Sequence, residues 1–230
     1  MKSREADRPL YRIGRRPNAW AWPDWLRASA DGTFGNRWDD PDGAYRVLYA
    51  ASSLRGAFVE VLARFRPDPH VAAELARIDG RQGSALPPGH LDPAWLEVRC
   101  IGEATVRGSF AEIGHSVSLA RLQKELALRL AHYGIQDLDG SAIRISAPRR
   151  LTQEISRFVF EQTARGRRRA FDGISYLSRL GDELRNWALF EPIGKKGAAS
   201  LVAEVRLSRI GPRHPELRGA LELLGIVLAE

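Results

Sequence analysis

The chain has 230 residues, 44% apolar and 27% charged, an ordinary globular composition that is long enough to bury a core and excludes a disordered or low-complexity chain. Its one cysteine, Cys100, excludes an internal disulfide and a cysteine-rich zinc site. The charged start and the lack of any apolar run near the roughly 20 residues of a membrane span point to a soluble, cytoplasmic protein with no secretory signal and no membrane association. The net charge of +7 is concentrated in residues 1–17 and 142–190, leaving the rest slightly acidic.

In chain order, Tyr11–Ile13 reads as a short strand and residues 15–42 as an irregular loop holding four of the six tryptophans. Arg46–Ala51 is a compact strand. The clearest helix follows. Leu54, Ala57, Phe58, Val61, Leu62 and Phe65 recur at helical spacing, Ser52 and Ser53 supply a cap, and Pro67 ends the run. The opposite face of this helix carries Ser53, Gly56, Glu60 and Ala63, one carboxylate among small residues where a solvated face would show several long charges. Val71–Ile78 is expected to be helical and Gly80–Pro93 a loop. Trp95–Ile101 and Ala104–Arg107 read as strands around a turn at Gly102. Ser118 caps a helix closed by Gly134, Ala142–Ile145 is a strand, and Pro148 opens a helix bearing Leu151, Ile155, Phe158 and Val159. Strands at Gly173–Leu177, Trp187–Glu191 and Leu201–Leu207 precede a last helix near Pro215–Leu224. Strands and helices without regular alternation indicate an α+β fold in a single domain.

Several chemistries are missing. No G-x-G-x-x-G follows a strand, no G-x-S-x-G elbow occurs, and the five histidines never take ligand spacing, so no metal site is expected. Gly194-Lys195-Lys196-Gly197 lacks the rest of a phosphate loop and reads as a hairpin turn. The basic run Arg165–Arg169 is the one nucleic-acid candidate, but no aromatics alternate with it to stack bases, so a nucleic-acid-binding module ranks below an enzyme.

Three local patterns remain: Gly35-Asn36-Arg37-Trp38-Asp39-Asp40-Pro41; Val47-Leu48-Tyr49-Ala50-Ala51 followed by the helix of Glu60; and Asp172-Gly173-Ile174-Ser175-Tyr176-Leu177-Ser178-Arg179 with Asn186-Trp187-Ala188-Leu189-Phe190. Taken singly, each has a plain structural explanation: an Arg37 ion pair with Asp39 or Asp40, a core Tyr49, a turn capped by Ser178. Taken in order, they resemble the RES-domain family over about residues 10–190. The resemblance implies an ADP-ribosyltransferase-like split mixed sheet flanked by helices, with an NAD+ cleft. It implies a bacterial toxin that consumes NAD+ by hydrolysis or phosphorolysis, or that transfers ADP-ribose to a protein. The implied partner is an antitoxin with a helix-turn-helix region, and a homodimer is compatible. Arg37, Tyr49, Glu60 and Ser178 take the family positions, while Arg12, Tyr176 and Asn186 match less diagnostic ones. Relative to compact family members, the stretch from about Pro67 to Ser116 looks like added material in a core of about 10–191, and a strand and helix follow at 200–230.

The chemistry of the residues agrees with those roles. Breaking a nicotinamide–ribose bond passes through an oxocarbenium-like cation, which a fixed carboxylate such as Glu60 can stabilise. Arg37 can grip a pyrophosphate through bidentate bonds, Tyr49 can stack on nicotinamide, and Ser178 can fix the pose of nicotinamide or ribose without acting as a nucleophile. NAD+ is expected as the substrate.

Overall fold

A computed structural model describes residues 1–68, 70, 73–74, 86–144, 148–164, 169–192 and 201–229. The strands are β1 (Ser3–Arg4), β2 (Leu10–Arg15), β3 (Val47–Ala51), β4 (His90–Leu91), β5 (Arg99–Val106), β6 (Phe110–Glu112), β7 (Gly173–Ser178), β8 (Gly181–Phe190), β9 (Val202–Arg209) and β10 (Val227–Leu228). Eight of them form one sheet in the order β1-β6-β7-β8-β3-β2-β5-β9, and β10 pairs with β4. Within the large sheet β6 and β7 run parallel and the other neighbours antiparallel. Among the described residues the helices are α1 (Leu54–Leu62), α2 (Ala94–Glu97), α3 (Ser116–Glu125), α4 (Ala127–His132), α5 (Gly140–Arg144), α6 (Arg149–Glu161) and α7 (Pro215–Leu224). The α+β class expected from the sequence is the class the chain adopts.

The central strands are buried on both faces, and alternation sends their side chains into different cores. Ala188 and Phe190 of β8 join Val47, Ile174 and the helices α3 and α6, while Trp187 and Leu189 join Leu48, Phe110 and Trp20 on the other side. A third cluster, around Phe58, Leu62, Leu217 and Leu221, glues α1 to α7 and to the sheet. Gly173 permits this density, because a Cβ there would run into the carbonyl of Ala188 on the adjacent strand.

Four sequence expectations are corrected. Gly102 is no turn: β5 runs unbroken through it, because the missing Cβ makes room for Trp20, whose Nε1 would lie 2.6 Å from any Cβ built there. Trp95 belongs to the short helix α2 rather than to that strand. Residues 142–144, expected as strand, lie in helix α5, where Asp139 Oδ1 accepts from Ala142 N at 2.7 Å. The helix expected from Ser118 is broken at Leu126 into α3 and α4, and His115 caps it instead, while Ser118 Oγ accepts from Lys2 N at 3.0 Å. The segment from Pro67 to Ser116 includes β5 and β6, each paired on both sides within the sheet. The helix expected at 71–78 falls largely outside the described residues, as do Gly194–Gly197 and Arg165–Arg168. Among the described residues no helix is long and apolar enough to cross a membrane.

Candidate active site

Helix α1 begins at Ser53, whose Oγ accepts from Gly56 N at 3.1 Å, and its apolar side seats it on α7 and β2. Gly56 faces Ala51 and Leu184 of the sheet, so the small residues partly serve packing. The stripe Ala57, Glu60, Val61 and Arg64 is left along a cavity of about 550 Å³, a size typical of small-molecule sites.

Glu60 is exposed yet held. Ser178 Oγ donates to its Oε1 in a short hydrogen bond, and Asn186 Nδ2 donates to the same oxygen at 2.7 Å. Ser178 closes the β7–β8 hairpin, where its Oγ also accepts from Leu180 N at 2.9 Å. Being 1% exposed, Ser178 stands behind the carboxylate instead of lining the cavity. Asn186 is paired across the hairpin with Tyr176 and, on its other side, with Ala51, which puts these positions in one row on the cavity floor. Asn186 Oδ1 is buried and has no hydrogen-bond partner among the described residues.

The opposite wall is a turn. Asp39 Oδ2 accepts from both Asn36 N and Asn36 Nδ2 at 2.7 Å, and Tyr49 OH donates to Asp39 Oδ1 at 2.7 Å while accepting from Trp38 N at 2.9 Å. Helix α6 clamps the turn from outside: Ser156 Oγ donates to Trp38 O at 2.6 Å and Gln153 Nε2 to Asn36 O at 3.2 Å. Asp40 pairs with Arg157 at 2.8 Å. Both aspartates are thereby committed to partners that keep the turn rigid, and Arg37 projects from it to donate to Arg144 O. Burial lowers the proton affinity of Arg37, while the nearby Tyr176 and Glu60 raise it. Burial, followed by the charge of Asp39, lifts Tyr49 well above the ordinary phenol range, so it remains a neutral donor at physiological pH.

Arg12 occupies a seam of the sheet. Strands β2 and β3 share one pair, Tyr11 with Ala51, and the Arg12 guanidinium bridges the gap with bonds to Ala19 O at 2.7 Å and Tyr49 O at 2.6 Å. Burial pushes its pKa down to about 10, and it stays charged at neutral pH.

Arg12, Arg37, Tyr49, Glu60, Tyr176 and Asn186 therefore all line one cavity, and Ser178 touches it through Glu60. The family model described as the RES domain matches residues 9–210. The chain belongs to the RES-domain family. No curated protein and no solved structure matches it. The RES match reaches past the expected core end near residue 191 to include β9.

Sequence reasoning missed four lining residues of this RES domain: Asn36, Arg64, Arg149 and Arg179. With Arg12 and Arg37, the three added arginines make five guanidinium groups around a single carboxylate. Position alone hinted at two of them, since Arg179 follows Ser178 and Arg149 follows the helix-opening Pro148. Arg169, from the run suspected of binding nucleic acid, is structural: it donates to Glu191 O at 3.1 Å and lies 4.7 Å over the Phe160 ring.

Proposed function

We propose that the protein is an NAD+-degrading enzyme that cleaves the nicotinamide–ribose bond, by hydrolysis or phosphorolysis, and that it serves as the toxin of a toxin–antitoxin pair. The observation that carries the proposal is the Glu60 carboxylate, fixed by two neutral donors inside a cavity whose other charged lining groups are arginines. A dinucleotide supplies the complement: a dianionic pyrophosphate for the guanidinium groups and a pyridinium-linked ribose for the acid.

The chemistry follows from charge. As the C1′–N bond breaks, nicotinamide leaves with the bonding pair and becomes neutral, while positive charge grows on the ribose ring. Glu60 Oε2 takes no hydrogen bond among the described residues, so it is available to face that charge or to accept from a ribose hydroxyl. Ser178 and Asn186 hold the carboxylate in place beforehand, which removes reorganisation from the barrier. Ser178 is accordingly a positioning residue and not a contact to nicotinamide. Arg37, with Arg12, Arg149 and Arg179, holds the pyrophosphate. Tyr49 and Tyr176 offer aromatic surface to the base.

The test is to incubate purified protein with NAD+, with and without inorganic phosphate, and to identify products by mass. Nicotinamide release is expected, with free ADP-ribose or its phosphorylated form as the second product. Label from NAD+ fixed on a protein band would replace this reading by mono-ADP-ribosyltransfer from the same site, and intact NAD+ would overturn both. Co-purification with a helix-turn-helix protein encoded beside it checks the toxin role.

A further inference from the structure

A second hollow, of about 620 Å³, shares Arg12, Ile13, Glu60, Val61 and Arg64 with the first and is closed on its far side by the loop after β2 and by α2. Arg15, Arg64 and Arg99 line it, with Trp22 and Trp95. The Arg99 guanidinium lies 4.3 Å over the Trp95 ring and donates to Trp95 O at 3.2 Å. Burial lowers its proton affinity, and the charges of Arg15 and Arg64 lower it further, so the three cations feel one another. Among the described residues none of the three forms an ion pair with a carboxylate. The two acids on the same wall do not answer them. Asp24 caps Leu26 N at 3.1 Å and lies within reach of Arg46, while Glu60 is tied to Ser178 and Asn186. Like charges gathered in a concave site without a counter-ion mark a place built for an anion.

We propose that this second hollow binds an organic phosphate, with the oxyanion held by Arg15, Arg64 and Arg99. Guanidinium forks match phosphate oxygens two at a time. The hollow is far larger than inorganic phosphate, and the Trp22 side chain in its wall offers an aromatic face to an attached base. Two sources carry this chemistry: a dinucleotide whose pyrophosphate straddles the Arg12–Glu60–Arg64 ridge, with its adenosine-side phosphate in this hollow, or a separate phosphorylated molecule that approaches Glu60 from the other side.

The experiment titrates AMP and pyrophosphate by calorimetry onto the wild-type chain and onto the Arg15→Gln/Arg99→Gln double variant, neither position of which lines the first cavity. At least tenfold weaker binding is expected in the variant, with circular dichroism and melting temperature unchanged. Should the double variant misfold, Arg15→Gln alone, at an exposed position, carries the same comparison. A parallel tenfold rise in the KM for NAD+ assigns the hollow to the dinucleotide itself, and an unchanged KM assigns it to a second molecule. No binding of either probe to the wild type, or equal binding to the variants, overturns the proposal. Because the titration needs no turnover, a protein that leaves NAD+ intact but still loses AMP in the variants defeats the proposed reaction and not this site.

Discussion

The acid wall and the arginine wall of the cavity are rigid for different reasons. Glu60 stands on a helix and is oriented by two bonds from one hairpin, Ser178 at its turn and Asn186 on its return strand. Arg37 stands on a turn without regular structure, oriented by a network that runs through Asp39, Tyr49 and Trp38 to α6, more than a hundred residues further along the chain. The acid is thus held by two partners from one hairpin, the arginine by a turn whose partners come from distant parts of the chain. Damage to the first should appear in turnover with the fold intact, and damage to the second should appear in stability as well.

The largest expected effect is on the acid itself. Glu60→Gln preserves shape and the bond from Ser178 but removes the charge, so NAD+ turnover should fall about 10²–10³-fold or more with the melting temperature nearly unmoved. Retained turnover, followed as nicotinamide release, would remove Glu60 from the mechanism. Arg37→Lys tests the facing wall. A point charge replaces a planar fork, and kcat/KM should drop about 10–100-fold, mostly through KM. Ser178→Ala is milder, with kcat falling about tenfold, KM holding and Ser178→Thr restoring part of the loss; a change confined to KM would make Ser178 a substrate contact instead.

Tyr49→Phe probes the network. It strips a donor from buried Asp39 and an acceptor from Trp38 N, and should cost about 1–3 kcal/mol in denaturant unfolding. An unchanged denaturation midpoint would break the contrast between the two walls. The smallest effect belongs to pH. Arg46 donates twice to Glu191, and these hydrogen bonds, against the opposing effect of burial, hold the Glu191 carboxyl below its ordinary value of 4.5. The native state therefore binds fewer protons than the unfolded one near that pH, and stability present above pH 4.5 is lost as pH falls through the lower folded value. Glu191→Gln should flatten the acid limb of the unfolding free energy, followed by denaturant titration at each pH, by about 1 kcal/mol or less, since the pair is partly solvated.

How legible all this was in the sequence depended on whether a signal was local. Pro215–Leu224 is helical as expected, with Pro at its start and Gly225 ending it in a left-handed conformation. Ser53 caps α1 and Pro148 precedes α6 as expected. The failures came where tertiary contacts decide. Gly102 resembles a turn until Trp20 is seen resting on it, and nothing local tells an arginine that lines a cavity, such as Arg149, from the many that face water. The candidate site residues could be named because their motifs, on a turn, strands and one helix, follow an order that resembles a known family. Ser178, expected to fix nicotinamide or ribose, donates to Glu60 in the structure, a contact that only the hairpin geometry reveals.

Gly14 and Gly102 lie two rungs apart on β2 and β5, and a Cβ at either would strike Ala19. Together they form a flat shelf on which the Ala19–Trp20 segment rests, and Ala19 supplies the carbonyl that steers Arg12. A single methyl on that shelf would act as a shim. It would lift the loop, turn the guanidinium between the two chambers, and disturb both with a change made on the sheet beneath them.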